Sequence, residues 1–485
     1  MKDLSIAEFD LIGGSMNQPS DLPLGIFRTY DIRGIVGEDL TSDRVRQIGL
    51  GLGLHLAAEN AREIVVGHDI RESSPDFAAA LAEGICSAGL DVIEIHHVPT
   101  PVLYWAVKHL NCDGGVMITG SHNPIDYNGL KITRGLYPIW GDELQLLHAK
   151  CLTSKPVENT GSRTSKDILN DYFAARVDRF SFPQGLKVAI DCGNGTAGPV
   201  AIPLFEKLGI EVDALYAEPD GTFPNHLPDP EVPKYMKALC EKVAQGDYVC
   251  GFGFDGDSDR VGLIDENGNK ISADLLLLAF ARHLLKEVPG GKIIFDVKCT
   301  DDIEPAIRQA GGEPILSKTG HSIIKEKMRE TGAILAGELS GHICVNHKGD
   351  GFDDAFFAAL LTLEIMVQND CKCSDLFADI PEKVSTPEVK IPVSEEHKFG
   401  VVDHLVDTFR ADSMGGNLVD LDGVRLSFAD GWMLIRASNT TANLTARIEG
   451  QDSAALIRIG EIVEKALSDQ PVELAALREA LESNR

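Results

Sequence analysis

Basic residues are scarce in this chain of 485 residues: 45 lysines and arginines stand against 74 aspartates and glutamates, a formal net charge of −29. Such a surface repels phosphate backbones, which excludes nucleic acid as a partner. Small anions are still open to it, provided the basic groups are concentrated in one cleft. Long apolar runs are missing too. The longest, residues 275–281 and 355–361, have seven residues each, where a bilayer span needs about 20, so no membrane segment is expected. The ten cysteines form no metal-type double pair; Cys371 and Cys373 stand close together without a second pair. They read as reduced thiols. The N-terminus lacks a basic segment followed by an apolar core, hence a secretory signal, and a cytoplasmic protein is expected. Residues 1–15, ahead of Met16, read as a peripheral extension.

What is present is ordinary for a globular protein, 44% hydrophobic and 25% charged residues, which excludes a mostly disordered chain. At about 150 residues per domain the length predicts three or four domains. Short β-branched runs at residues 64–66, 186–190 and 292–295 are each followed closely by an aspartate: Asp69, Asp191 and Asp296. Helical periodicity follows the first of them at residues 75–88. Such runs alternating with helices predict parallel α/β layers. The C-terminal part differs, with strands expected at residues 424–428, 432–437 and 444–448 and a helix at 453–467. That pattern predicts a smaller α+β domain. Linkers are expected near residues 151–165, 267–271 and 381–392, and the four prolines of residues 219–230 mark an ordered loop.

Four polar clusters carry the chemistry. Thr119-Gly120-Ser121-His122-Asn123-Pro124 follows an apolar run, just beyond a strand's carboxyl end, where open α/β sheets place their sites. It lacks the hydrolase elbow Gly-x-Ser-x-Gly. His122 is not expected to face Ser121, because successive side chains point apart. Asp255-Gly256-Asp257-Ser258-Asp259-Arg260 sits between two strand-like runs. Carboxylates at alternate positions suit a hard divalent cation. An EF-hand is opposed by Arg260 where that loop needs glycine, and by the strand-like flanks. Gly337-Glu338-Leu339-Ser340-Gly341-His342 can present oxygens to sugar hydroxyls, although alone it is also a plain polar turn. Arg436-Ala437-Ser438-Asn439-Thr440-Thr441 offers a guanidinium fork, hydroxyls and backbone N–H groups to a phosphate, or forms a simple Asx-type turn. A fifth run, Gly193-Asn194-Gly195-Thr196-Ala197-Gly198 with Glu218 beyond it, matches the dinucleotide fingerprint. It raises an NAD-dependent oxidoreductase as the rival, but no hydride-transfer constellation accompanies it.

Together these motifs resemble the α-D-phosphohexomutase superfamily, and within it the bacterial phosphomannomutase/phosphoglucomutase branch. Further segments carry the resemblance: Phe27-Arg28-Thr29-Tyr30-Asp31-Ile32-Arg33-Gly34, Asp126-Tyr127-Asn128-Gly129-Leu130-Lys131, Asp296-Val297-Lys298-Cys299-Thr300 and Lys318-Thr319-Gly320-His321-Ser322. Two positions depart from the family's habit, Ile125 and Ala442, where proline is frequent. The resemblance implies three similar mixed α/β domains plus a smaller C-terminal α+β domain around a central cleft. The expected divisions are residues 1–166, 167–269, 270–384 and 385–485, with one loop in each.

The resemblance also implies roles. Ser121 is carried as phosphoserine and exchanges its phosphoryl group with a hexose 1- or 6-phosphate through a 1,6-bisphosphate. Asp255, Asp257, Asp259 and a Ser121 phosphoryl oxygen hold Mg²⁺, with Arg260 and His122 as charge support. Lys131, Arg33 and His342 are the candidate acids and bases; Lys131 as a base needs a depressed pKa. Glu338 and Ser340 read sugar hydroxyls. Arg436, Ser438, Asn439 and Thr440 hold the distal phosphate, with Lys298, His321 and Tyr30 closing from other domains. The expected partners are sugar phosphates, with glucose 1,6-bisphosphate as activator, and the chain is expected to act as a monomer.

Overall fold

The structure is a computed structural model describing residues 21–438 and 441–483. The expectations for residues 1–15, Asn439 and Thr440 lie outside these residues. Among the described residues, no helix is long and apolar enough to cross a membrane.

Four sheets follow one another along the chain, each the centre of a lobe. The first runs Ile32–Ile35, Tyr127–Arg134, Gly114–Ile118, Glu63–His68, Asp91–His97, Arg163–Ser165. The second runs Lys270–Ile271, Val261–Ile264, Cys250–Phe254, Lys187–Asp191, Glu211–Leu215. The third runs Glu313–Ser317, Lys292–Asp296, Leu335–Gly337, Ile343–Val345. In each of these three sheets, parallel strands end at an antiparallel neighbour joined to the last of them by a hairpin. The fourth sheet is antiparallel throughout, with Gly431–Ala437 and Asn443–Gly450 at its middle.

That hairpin is the same in every lobe, and it holds the motif. Strand Gly114–Ile118 turns into Tyr127–Arg134 through the Ser121 loop, and Cys250–Phe254 into Val261–Ile264 through the aspartate loop. Leu335–Gly337 turns into Ile343–Val345 through the Glu338 loop, and Gly431–Ala437 into Asn443–Gly450 through the Ser438 loop. The incoming strands Gly114–Ile118, Cys250–Phe254 and Leu335–Gly337 are buried at every residue, as their unbroken apolar or glycine composition requires.

The expected linkers are partly strands. Arg163–Ser165 pairs with Asp91–His97, Lys270–Ile271 with Val261–Ile264, and Val384–Ser385 and Val389–Pro392 both with Asn443–Gly450. These edge strands are two to four residues long and partly exposed, too short to show alternation in sequence. Helix Ser453–Leu467 matches its expected span; Ala455, Leu456, Ile459, Val463 and Leu467 line its buried face, and Asp452 caps it by accepting from the Ala455 N–H at 2.8 Å. Helix Ala355–Asn369 is buried on nearly every side of its first three turns and packs into the core that the first three lobes share.

Candidate active site

Ser121 is nearly fully buried and sits at φ +49°, in the left-handed region that side chains normally avoid, at a cost of about 1–2 kcal/mol. Its neighbours hold it there. The Thr119 hydroxyl accepts from the Ser121 N–H at 2.8 Å, and Asp69 accepts from the Gly120 N–H at 2.9 Å. Arg71 donates to the carbonyls of Ser121, Asn123, Pro124 and Tyr127 at 2.6 to 3.0 Å. A Cβ on Gly120 would fall 2.1 Å from the Arg71 side chain, so only glycine fits beneath this clamp. The left-handed turn also corrects the expectation for His122: its Nδ1 stands 3.1 Å from the Ser121 hydroxyl. Burial, then Arg260 and Arg33, push His122 well below the ordinary histidine value. The ring is therefore neutral and adds no charge support here.

The aspartate loop of the second lobe meets Ser121 directly, its Oγ donating to Asp255 Oδ2 at 3.1 Å. A Cβ on Gly256 would lie 2.4 Å from the Ser121 carbonyl oxygen, so this glycine permits the approach. Asp257 accepts from the Thr100 hydroxyl at 2.6 Å and from Lys131 at 2.7 Å, and Lys131 also contacts Asp259. Burial alone would lower Lys131; Asp257 and Asp259 outweigh it and hold the ammonium above the ordinary lysine value. This is the opposite of the depressed pKa a lysine base requires. Arg33 donates to the Thr119 carbonyl at 2.6 Å and pairs with Asp31 at 2.8 Å.

The three aspartates are fully buried and offer carboxylate oxygens within 4.8 Å of one another. Oδ1 of Asp257 has no hydrogen-bond partner, and Oδ1 of Asp259 meets only His342 Nε2, at 3.4 Å. Burial, with Asp259 and Asp257 alongside, pushes Asp255 well above the usual carboxylate range. Crowded carboxylates with an unpartnered buried oxygen on Asp257 form a hard, all-oxygen donor set, and it fits a divalent cation such as Mg²⁺.

The third lobe supplies His342. Its Nε2 is 3.4 Å from Asp259, and its Nδ1 lies 3.1 Å from Glu338 and 3.1 Å from the Ser340 hydroxyl. Burial opposes its charge, but Asp259 and Glu338 raise it to about 9. Glu338 also accepts from the Gly320 N–H of a neighbouring loop at 2.6 Å, while both Glu338 and Ser340 meet His342 within their own loop. His321 stacks on His342 at 5.3 Å, and the Tyr30 hydroxyl donates to the Thr319 carbonyl at 2.7 Å. Arg260 bridges by its backbone to His342. In the fourth lobe Arg436 pairs with Asp422 at 3.0 Å, and the hydroxyls of Ser438 and Thr441 lie 2.9 Å apart. Lys298 reaches Glu388 at 3.0 Å, joining the third lobe to the fourth.

Residues that carried no sequence signal complete the site. Arg71 clamps the serine loop, and buried Lys398 donates to the carbonyls of Ser438 and Thr441 at 2.7 and 3.2 Å. Asp69, noticed only as a strand-end aspartate, anchors both Gly120 and Arg71. The dinucleotide-like run is a prop. The Thr196 N–H donates to the Gly256 carbonyl at 3.0 Å and its hydroxyl pairs with Ser258 at 2.9 Å. Pro228 and Gly256 crowd Gly193 and Gly195, where a cofactor pyrophosphate would need room.

A buried serine, a buried oxygen-ligand trio and converging cations from separate lobes define a site for transferring an anionic group. The sequence models of phosphoglucomutase/phosphomannomutase domains match in order: the α/β/α domain I at residues 25–139, domain II at 170–268, domain III at 272–384 and the C-terminal domain at 388–466. The chain is 43% identical over 444 residues to a phosphomannomutase/phosphoglucomutase of Pseudomonas putida, covering 92% of this chain and 96% of that one. It is 40% identical over 453 residues to a phosphoglucomutase of Neisseria meningitidis, covering 92% and 97%. A crystal structure of a phosphoglucomutase/phosphomannomutase family protein from Burkholderia thailandensis superimposes with a TM-score of 0.85 at 39% identity, covering 92% and 97%. The chain belongs to the phosphoglucomutase/phosphomannomutase family. It is accordingly an enzyme of the mutase class, an intramolecular phosphotransferase.

Proposed function

We propose that this enzyme interconverts the 1- and 6-phosphates of mannose and glucose, using phosphorylated Ser121 and a hexose 1,6-bisphosphate. The observation that carries the reading is the knot where Ser121 Oγ stands 3.1 Å from Asp255 while Lys131 joins Asp257 to Asp259. A nucleophile and a cation-binding trio from different lobes meet there out of water.

In the first half-reaction the bond from phosphorus to Ser121 Oγ breaks as a bond to the sugar hydroxyl forms. The hydroxyl loses a proton and the Ser121 oxygen gains one. Phosphoryl transfer rests mainly on positioning and charge neutralisation. Asp255, Asp257, Asp259 and the serine phosphate would hold Mg²⁺, which when bound neutralises charge on the transferred group. Arg33, fixed on the Thr119 carbonyl, adds positive field beside the loop. Lys131 and His342 are protonated in this arrangement, which suits donors. His122, neutral and 3.1 Å from Oγ, is placed to take the Ser121 proton in the return step, when that hydroxyl attacks the bisphosphate. Glu338 and Ser340 read hydroxyls that glucose and mannose share; because the two sugars differ only at C2, a loop that ignores C2 accepts both. Arg436, Ser438, Asn439 and Thr440 hold the distal phosphate, with Lys298, His321 and Tyr30. The bisphosphate then turns around and returns its other phosphate to Ser121, which accounts for glucose 1,6-bisphosphate as activator.

The test is turnover of glucose 1-phosphate and mannose 1-phosphate side by side, with Mg²⁺ and a trace of glucose 1,6-bisphosphate. Comparable rates are expected, and Ser121→Ala should lose nearly all activity while still binding sugar phosphate. Unchanged turnover in Ser121→Ala would rule out the phosphoserine route.

A further inference from the structure

Three lobes meet at a point that the phosphoryl-transfer knot does not use. Glu231 precedes helix Pro233–Gln245 in the second lobe, Lys298 follows strand Lys292–Asp296 in the third, and Glu388 precedes strand Val389–Pro392 at the start of the fourth. The Lys298 ammonium is 3.0 Å from Glu388 and 4.0 Å from Glu231. Both carboxyl groups therefore draw on one ammonium, Glu388 at hydrogen-bond distance and Glu231 at the limit of ion-pair contact. Lys298 is only 6% exposed, whereas Glu231 and Glu388 keep 26% and 22% open. Arg260, Lys270 and Asp229 face this pair from the second lobe, Lys298 from the third and Arg436 from the fourth.

A carboxyl pair on Lys298, within the field of Arg260 and Arg436, offers this ammonium an anion of the kind that the mutase reading gives it as the distal phosphate. Its anchor, Glu388, lies on the crossing into the fourth lobe. We propose that Glu388, backed by Glu231, is an internal surrogate for the substrate's phosphate. It satisfies Lys298 until phosphate arrives and then gives way, so that phosphate takes over from Glu388 as the anion joining Lys298 of the third lobe to the fourth. This rests on the mutase reading for its ligand, and it makes the pair a positioning device that sets phosphate affinity.

The protonated member is Glu231. Burial, then the negative charge of Glu388, push it up to about 8 against the opposing pull of Lys298. Below that pH the pair carries one negative charge. Above it Glu231 loses its proton, a second negative charge appears beside Lys298, and phosphate competes less well. Phosphate itself gains charge over the same range, which alone would strengthen binding.

The experiment is calorimetric titration of inorganic phosphate into the full-length wild type, Glu231→Gln and the double variant Glu231→Gln/Glu388→Gln at pH 7 and 9. It is paired with KM and kcat for glucose 1-phosphate. The double variant removes the surrogate's charge and should bind phosphate at least fivefold more tightly at pH 7, with a lower KM and no rise in kcat. Glu231→Gln keeps one charge and should match the wild type at pH 7. It should also escape the loss of affinity, at least threefold, that the wild type shows between pH 7 and 9. Equal or weaker phosphate binding by a folded double variant overturns the proposal. Should that variant not fold, identical pH profiles for wild type and Glu231→Gln overturn it equally. A wild type that binds phosphate as described yet turns over no hexose phosphate sinks the mutase reading and leaves the surrogate standing.

Discussion

The seams among the first three lobes and the seam between the third and fourth are built differently. One apolar core runs through the first three: Met117 from the first, Phe252 and Leu263 from the second, and Phe280 and Phe356 from the third belong to it together. The fourth lobe has its own core around Leu426, Ile435, Ile448 and Ile459, and meets the third over a small patch of Val297, Trp432 and Leu434. The rest of that seam is polar: Thr300 donates to Glu449 at 2.6 Å, and the Thr319 N–H donates to Asp422 at 3.0 Å. Apolar contact has no substitute in water, whereas a polar contact can be exchanged for water or ligand. The contrast separates a fixed body carrying the serine and aspartate loops from a lobe that can move with the Ser438 loop.

The largest expected effect breaks the fixed body. Phe356 is fully buried in helix Ala355–Asn369, tilted against Phe254 of the second lobe at 5.3 Å between ring centroids. Phe356→Ala should cost about 3–5 kcal/mol. Because the core is shared, calorimetry should show the first three lobes losing stability as a unit. Separate melting of the second and third would contradict a single core.

Next comes a change inside the body that should touch rate far more than stability. Gly256 has no positive φ, but an added Cβ would meet the Ser121 carbonyl at 2.4 Å. Gly256→Ala must therefore push the aspartate loop away from Ser121. A misplacement of about 1 Å costs on the order of 100-fold in rate, so kcat should fall by about that factor with little change in melting temperature. Wild-type kcat would show that the loop's approach to Ser121 is not needed.

These loops were legible in sequence because the chemistry packs its residue types into contiguous runs, and each run occupies a hairpin between strands that the apolar pattern reveals. What joins the runs was not legible. Arg71 reaches the serine loop from 50 residues away in sequence, and Lys398 reaches Ser438 from 40; a lone basic residue carries no mark of which carbonyls it will meet. The contact between His122 and Ser121 was misjudged because it depends on a left-handed serine that sterics disfavour. Glu231 and Glu388 gain their meaning only where three lobes meet, and the short edge strands inside the expected linkers lack the length to show a period.

The smallest effect sharpens the other side of the comparison. Arg425 is buried in the polar seam, stacked 3.8 Å over Trp432 and donating to the Val297 carbonyl and to Asp301. Arg425→Met keeps a long side chain over the indole but removes those donors. It leaves the buried Val297 carbonyl without them, at about 1–3 kcal/mol. If the seam is the loose one, that cost should appear locally. Amides of Val424–Phe428 and Gly431–Ala437 should exchange roughly 30-fold faster, as about 2 kcal/mol implies, while those of Cys250–Phe254 stay unchanged. X-ray scattering should then show a larger particle in the ligand-free variant that contracts to the wild-type profile with glucose 1,6-bisphosphate, since a ligand held by both sides replaces the lost contacts. Exchange that quickens equally in both sheets would mean that the fourth lobe is coupled to the body as tightly as the first three are to one another.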